Sequence, residues 1–201
     1  MVWVYYQATT IPTEYTAPLY ALSPVAVESS VTDLIGVNRH QQANKDGASC
    51  AKGFSRKKTP VSLQRYDIGS VRKAFNIFAT APSSFHNSVM LAEGYATNRV
   101  EEIGANSTAY SDRAEKLLIT PLLTYLPNAS LDTTADDIND KIRDALLDGG
   151  RSKLRAYVNY ARGDESVEAV YGYEPWRLER LRRLKKEYDP FGRFNYFAPI
   201  F

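Results

Sequence analysis

The last 45 residues of this 201-residue chain hold its most restrictive pattern. Four short segments follow one another there: Tyr157-Val158-Asn159-Tyr160, Tyr171-Gly172, an Arg- and Leu-rich helix starting near Pro175, and a final segment from Lys186 through Tyr188-Asp189-Pro190 to Phe194. Residues two apart on a strand point to the same face, so a strand here would place Tyr157 beside Asn159, with Val158 and Tyr160 opposite. A phenol next to an amide offers a proton-transferring group and a donor–acceptor pair.

This string resembles the C-terminal signature of the berberine bridge enzyme-like family of FAD-linked oxidases. The resemblance implies the C-terminal part of such an oxidase, lacking the N-terminal domain that holds the FAD. It also implies a function: oxidation of a secondary metabolite such as an alkaloid or polyketide, with hydride passing to flavin N5. Tyr157 would then be catalytic, assisting substrate deprotonation, and Asn159 would lie near the flavin as a cofactor-binding residue. Arg155, on the same predicted strand face, is the cation expected to help Tyr157.

The order of predicted elements indicates an α+β fold. Period-two alternation predicts three strands of one sheet, namely Val2 to Gln7, Ser88 to Thr97 and Leu154 to Tyr160. Apolar residues three and four apart predict helices over Asp67 to Ala79, Ser111 to Tyr125, a segment capped by Thr133 or Thr134 and stopped by Gly149-Gly150, and Pro175 to Tyr188. The polar, basic stretch from Asn38 to Pro60 is predicted to be a long surface loop. A mostly antiparallel sheet covered by helices on one face accommodates this order, and the resemblance implies the same arrangement.

Two further residues are candidates for binding a small-molecule substrate. On the predicted N-terminal strand, Tyr5 and Gln7 share a face that ends in an aromatic ring and an amide. We therefore interpret Tyr5 and Gln7 as substrate-binding. A strand that begins at residue two suggests that the chain starts inside a larger fold.

The resemblance divides the chain at residue 160. It implies that residues 1–160 form a substrate-binding domain of the FAD-linked oxidase type, and that residues 161–201 form a C-terminal segment that packs toward the FAD domain. Large apolar side chains in that segment are too numerous for a solvated tail: Trp176, Phe191, Phe194, Tyr196, Phe197 and Phe201. We predict that they form an apolar patch that promotes self-association of an isolated chain.

Several alternatives stay open at this stage. Much of the affinity for FAD comes from the absent domain in this family, so this chain alone is expected to hold FAD weakly or not at all. It is then a truncated oxidase, one half of a split enzyme completed by a separate FAD-binding chain, a flavin-independent protein that binds or cyclises a substrate, or an inactive fragment.

Composition narrows the remaining classes. A net charge of only +2 does not favour nucleic acid as a partner, and the sequence has no apolar run long enough to span a bilayer. Two histidines and one cysteine, without metal-ligand spacing, favour no metal site. Residues 1–7 lack the basic region and cleavage site of a signal peptide, although sequons at Asn106 and Asn128 suggest an ancestor in the secretory pathway. The basic helix from Trp176 to Tyr188 carries Leu178, Leu181, Leu184 and Tyr188 on one stripe, so we interpret it as amphipathic and solvated on its charged face.

Overall fold

The structure, a computed structural model, describes residues 1–148 and 153–201. The chain forms two compact units, Met1–Lys52 and Gly53–Phe201. The first unit contains helices α1 (Thr13–Tyr20) and α2 (Leu34–His40) and a short 3-10 turn at Ala48–Cys50. Asp33 caps α2 by accepting a hydrogen bond of 2.7 Å from the Gly36 amide.

The predicted N-terminal strand is absent, which is a correction. Residues Met1 to Tyr6 pair with no strand, and the amide of Ala8 donates to the Tyr6 carbonyl at 2.9 Å. Alternating β-branched and aromatic residues favour a strand, but a strand also needs a neighbour for its backbone groups. Within the described part of the chain no segment pairs with these residues, so their side chains stay exposed.

The second unit is built around one four-stranded antiparallel sheet. Its strands are β1 (Ser55–Lys58), β2 (Val61–Leu63), β3 (Val89–Gly94) and β4 (Leu117–Tyr125). The long central strand β4 pairs with β3 along one edge and with β1 and β2 in succession along the other. The predicted strand at Ser88 to Thr97 is therefore confirmed as β3, and the α+β class with an antiparallel sheet is confirmed.

Strand β4 occupies the segment for which a helix was predicted. Leu117, Leu118 and Leu122 fit a helical stripe, but the strand instead buries Ile119, Leu123 and Tyr125 on one face. Pro121, which lacks an amide hydrogen, lies where neither β1 nor β2 pairs with β4, because β1 begins its pairing at Leu122 and β2 ends at Ile119. Proline is tolerated inside a sheet where pairing is interrupted, which explains how a proline-containing segment forms the central strand.

Two long helices cover one face of the sheet and enclose the core. Helix α3 (Ile68–Ala79) begins where predicted, with the Asp67 carboxylate accepting from the Ser70 amide at 2.6 Å. Helix α5 (Ala129–Asp148) begins earlier than predicted, because Asn128 rather than Thr133 or Thr134 meets its first amides. The predicted stop at Gly149-Gly150 lies outside the described residues. The helices and sheet share one cluster of buried side chains: Val61, Leu63, Ala74, Phe85, Ile119, Leu123, Tyr125, Ala135, Ile138, Ile142, Ala145 and Leu146.

The remaining elements are short or lie near the C-terminus. Helix α4 (Asn98–Glu101) and a 3-10 turn at Ser83–Phe85 flank β3, and helices α6 (Val167–Tyr171) and α7 (Pro175–Tyr188) follow the core. Helix α7 has the predicted bounds, with Pro175 in its first turn. The predicted surface loop from Asn38 to Pro60 is wrong in part, since it contains β1.

Residues Leu154 to Tyr160 do not form the predicted third strand. The Arg155 carbonyl accepts from Ser62 of β2 and the Ala156 amide donates to Ala169, each at 2.9 Å, but these isolated bonds make no ladder. The chain then turns, with the Tyr160 and Ala161 amides donating to the Tyr157 carbonyl at 2.8 and 3.0 Å. We call residues 157–160 the Tyr157 turn. The prediction that three segments share one sheet is therefore wrong, because only one of them, β3, is a strand.

Asp189 organises a compact turn directly after α7. Its carboxylate pairs with Lys185 at 2.5 Å and accepts from the amides of Arg193 and Phe194 at 2.8 and 3.0 Å. The hydrogen bond from Lys185, followed by the backbone donors, lowers the pKa of Asp189 to about 2. Because the folded pKa lies below the ordinary value of about 3.9, the carboxylate stabilises this turn above that pH and the contribution is lost as the pH falls toward 2.

We therefore predict that the turn after α7 loosens in acid before the core does. Amide exchange at Arg193 and Phe194, corrected for intrinsic rates, should accelerate between about pH 4 and pH 2. Asp189→Ala should show the fast exchange already at pH 5, whereas Glu187→Gln on the exposed side of α7 should behave like the unchanged chain. Equal protection in Asp189→Ala at pH 5 would contradict the capping role.

Candidate functional site

The Tyr157 turn brings the two central candidate residues into contact. The side-chain amide of Asn159 donates to the phenolic oxygen of Tyr157 at 2.7 Å, so they lie side by side as predicted although no strand holds them. Tyr160 does not point away, which is a correction: its ring packs edge-on against Tyr157, with centroids 5.4 Å apart. A turn lets i and i+3 side chains meet, whereas a strand would separate them.

Tyrosines from three segments gather around this turn, and we call Tyr95, Tyr110, Tyr157 and Tyr160 the tyrosine cluster. Tyr95 follows β3 and donates to Glu93 at 2.6 Å, and Tyr110 precedes β4. Burial, reinforced by the Glu93 carboxylate, raises the pKa of both Tyr95 and Tyr160. Burial raises the pKa of Tyr110, and the nearby Asp112 and Tyr157 raise it further. These three hydroxyls therefore stay protonated at neutral pH and can donate hydrogen bonds.

Strand alternation explains why Glu93 and Lys58 belong to this site. Glu93 lies opposite Leu118 and Lys58 opposite Leu122, and cross-strand partners share a face. That face is the one opposite Ile119 and Leu123, which point into the core under the helices. Glu93 Oε2 is buried and has no hydrogen-bond partner in the described ranges. Lys58 Nζ donates to the Asn159 carbonyl at 2.8 Å and lies 4.8 Å from the centre of the Tyr160 ring.

Arg155 does not fill its predicted role as the cation beside Tyr157. Its guanidinium contacts three carboxylates, those of Asp112 at 3.4 Å, Glu115 at 3.5 Å and Glu174 at 3.9 Å. Burial raises the pKa of Asp112 and Glu115, while the charge of Arg155 opposes that change. With its charge shared among three acids, Arg155 acts as a link between the start of β4 and α7.

The other two candidates lie in the first unit. Tyr5 and Gln7 are exposed and belong to the unpaired N-terminal segment rather than to a strand face. Their role in substrate binding stays a prediction.

The sequence did not reveal four residues of the site. Two belong to the tyrosine cluster, Tyr95 and Tyr110, and two contact its segments, Lys58 and Glu93. Glu93 and Tyr95 have the same spacing of two as Tyr157 and Asn159, and they lie in a segment predicted as a strand, so that signal was present. Lys58 gave no such signal, because the basic run Arg56-Lys57-Lys58 was interpreted as surface loop. Strand β1 splits this run, sending Lys57 to Asp136 of α5 at 2.8 Å and Lys58 to the opposite face.

Arg177 connects the C-terminal helix to the site and departs from the solvated helix that was predicted. It is 2% exposed, and its guanidinium donates to the carbonyls of Ala105, Thr108, Ala109 and Tyr110 at 3.0–3.4 Å and to Glu174 at 3.2 Å. Gly172 allows this approach, since its φ is +104° and a Cβ there would lie 2.9 Å from Ser111 Cβ and 2.5 Å from Glu174 Oε2. Arg177 thereby fixes the segment that carries Tyr110.

The described part of the chain shows neither a metal site nor a membrane-spanning helix. Within residues 1–148 and 153–201, no three His, Cys, Asp or Glu side chains gather closely enough to hold a metal ion. No helix in the described part of the chain combines the length and hydropathy needed to cross a bilayer. An open groove lined by Lys73, Ile77 and Lys141 lies along α3 and α5 and includes none of the tyrosine cluster.

The architecture is that of an α+β domain in which helices cover one sheet face and a polar, tyrosine-rich site occupies the other. Residues 156–200, which contain the Tyr157 turn and α7, match the family described as berberine and berberine like. The chain is also similar to the FAD-linked oxidoreductase chry5 of Gibberella zeae, with 40% identity over 92% of the chain. Its identity to the FAD-linked oxidoreductase anuG of Penicillium roqueforti is 38% over 93% of the chain. Residues 156–200 thus belong to the berberine and berberine like family, and more than nine tenths of the chain is similar to fungal FAD-linked oxidoreductases.

Coverage of the relatives is partial. The chain spans 38% of the length of both fungal relatives. Among solved structures it resembles the carbohydrate oxidase from Microdochium nivale, with a TM-score of 0.66 and 20% identity, over 94% of this chain and 43% of that one. At that identity the likeness shows the fold alone. Together these findings confirm the interpretation of the chain as the C-terminal part of such an oxidase.

We predict that Arg177 stabilises the domain through its carbonyl contacts. Arg177→Met should lower the free energy of unfolding by about 1.5–3 kcal/mol, because hydrogen bonds from a charged donor are lost and buried carbonyls are left unpaired. Arg180→Met, at an exposed position on the same helix, should change it little. Urea unfolding of both variants checks this, and equal stability of the two would show that the guanidinium contacts contribute nothing.

Proposed function

We propose that this chain supplies the substrate-side wall of an FAD-dependent oxidase, with Tyr157 assisting deprotonation of the substrate. The observation that carries this proposal is the contact between Asn159 and Tyr157 inside the tyrosine cluster, in the segment that matches the family. The side-chain amide of Asn159 holds the phenolic oxygen of Tyr157 in place. In this proposal that oxygen takes the substrate proton.

The other side chains of the cluster have complementary parts in this proposal. Tyr110 and Tyr160, held protonated, can donate hydrogen bonds that orient oxygen atoms of the substrate, whereas the single hydroxyl proton of Tyr95 is donated to Glu93. Their rings offer flat apolar surface to a planar or aromatic molecule. Such a lining supports a secondary metabolite of the alkaloid or polyketide kind as the substrate.

The residues present fit one edge of a flavin ring and no more of the cofactor. Tyr157 and Asn159 offer a phenol and an amide on a partly exposed turn, whereas the sequence contains no G-x-G-x-x-G or P-loop pattern for a pyrophosphate. When bound, FAD supplies the acceptor for the two electrons and hydrogen that leave the substrate. Asn159 would lie against its ring, and we expect this chain alone to hold FAD weakly or not at all.

We further propose that an FAD-binding part covers the C-terminal aromatic residues, supplied by the same polypeptide or by a separate chain. Phe191, Phe194 and Phe201 are 83, 79 and 72% exposed, and Trp176, Tyr196 and Phe197 are exposed as well. Rings of this size contribute about 1.5–3 kcal/mol each when buried, so leaving them in water is costly.

This proposal predicts self-association of the 201-residue chain. Light scattering over a range of concentrations should detect oligomers, and replacing Phe191 and Phe194 together by Ser should shift the chain toward monomer. As a control, Tyr66→Ser and Phe75→Ser alter exposed rings elsewhere in the second unit. A monodisperse monomer at all concentrations would argue against an uncovered interface.

The catalytic part of the proposal is tested by single-turnover flavin reduction in the FAD-loaded enzyme that contains this chain. Tyr157→Phe removes only the hydroxyl, so reduction should slow by about 10²–10⁴-fold while flavin stays bound. Asn159→Ala should instead alter the flavin spectrum or its retention. An unchanged reduction rate in Tyr157→Phe would leave this ring a structural part of the site wall.

A second candidate is a protein that binds or cyclises its substrate without flavin. The observation that favours it is the pair of protonated hydroxyls of Tyr110 and Tyr160, which can recognise or polarise a carbonyl without redox chemistry. Visible absorption after purification, and again after FAD is added, separates the candidates. Substrate binding by a colourless chain that gains no flavin absorption would favour the second.

A further inference from the structure

We propose that Lys58 is a positioning residue for Tyr157, holding the Tyr157 turn in place through the backbone carbonyl of Asn159. The structural part of this inference stands on the contacts of the chain itself. Its consequence for turnover rests on the function proposed above.

The sheet brings Lys58 to the turn from a distant part of the sequence. Strand β1 pairs antiparallel with β4, so that Lys57 lies opposite Leu123 and Lys58 opposite Leu122. Leu123 is buried in the core under the helices, and Lys57 accordingly reaches Asp136 of α5 at 2.8 Å. Lys58 must then point to the other face, where the Tyr157 turn lies.

Two paths of contacts connect the ammonium to Tyr157, one through Asn159 and one through Tyr160. Lys58 Nζ donates to the Asn159 carbonyl at 2.8 Å, and the side chain of the same Asn159 donates to the Tyr157 oxygen at 2.7 Å. The ammonium also lies 4.8 Å from the centre of the Tyr160 ring, which packs against Tyr157. The cation is therefore tied to Asn159 and Tyr160, and each of these residues contacts Tyr157.

The surroundings of Lys58 differ from those of a solvated surface lysine. Within residues 1–148 and 153–201 it forms no ion pair with a carboxylate at 4.0 Å or less, and burial lowers its pKa. A partly desolvated charge without a counter-ion destabilises the fold unless other contacts compensate. In this molecule, those contacts are the Asn159 carbonyl and the face of Tyr160.

Lys57 provides a matched control, since it is the same residue type, one position away and on the other face of the same strand. In the 201-residue chain, Lys58→Met should accelerate amide exchange at Tyr160 and Ala161, whose amides close the turn, by roughly tenfold. Lys57→Met should leave these two amides unchanged. The positioning role is overturned if the two amides of Lys58→Met exchange as slowly as those of the unchanged chain. It is also overturned if they exchange equally fast in Lys58→Met and Lys57→Met.

A charge-preserving variant guards against a change in packing alone. Lys58→Arg keeps a cation at the carbonyl and should restore slow exchange at Tyr160 and Ala161. If Lys58→Arg exchanges as fast as Lys58→Met, the cation does not hold the turn and the inference is wrong.

The effect on turnover is measured by a double-mutant cycle in the FAD-loaded enzyme. Lys58→Met should lower kcat by about tenfold with little change in KM, and should have no further effect when Tyr157 is already Phe. Independent, additive effects would show that Lys58 does not act through Tyr157. A different result would separate the two proposals. If Lys58→Met loses slow exchange while Tyr157→Phe keeps full activity, the positioning role stands and the proposed function is overturned.

Discussion

The pairing of β4 with three other strands is the constraint on which the second unit depends. One face of β4 supplies Ile119, Leu123 and Tyr125 to the core under α3 and α5. Its register with β3 and β1 places Glu93 and Lys58 on the opposite face. A slip of one residue in either pairing would send these charged side chains into the core and remove them from the site. The core and the site are thus two consequences of the same register.

The site is assembled from segments that are far apart in sequence and are held by polar contacts rather than by a sheet. The Tyr157 turn carries two candidate residues, β3 carries Glu93, and the segment before β4 carries Tyr110. Arg177 stabilises the last of these by donating to four backbone carbonyls from a buried position. A guanidinium suits this task because its planar fork presents several donors at once. The C-terminal helix therefore supports the site although it contributes no ring to the cluster.

The proposed chemistry rests on two observations, the match of residues 156–200 to the berberine and berberine like family and the geometry of the cluster. The relatives are FAD-linked oxidoreductases, and this chain spans 38% of the length of the two described above. What the chain itself presents is a wall of tyrosines with one acceptor–donor pair, and a C-terminal segment rich in exposed rings. Both features are the basis of the proposal that the chain works against a second surface, with the flavin and the substrate between them.

The sequence by itself determined the elements whose signals are local. Three local signals each act within a few residues: the apolar spacing over Asp67 to Ala79, Pro175 in the first turn of α7, and the spacing of Tyr157 and Asn159. They predicted two helices and one side-chain contact correctly. Residues Leu117 to Tyr125 carry an apolar pattern that suits either a helix or a strand, and only pairing on both edges decided for the strand. The first seven residues show the converse, since their alternation favours a strand that no partner completes. The placement of Lys58 and the burial of Arg177 were likewise decided by tertiary structure, because the face on which a charge lies depends on what packs there.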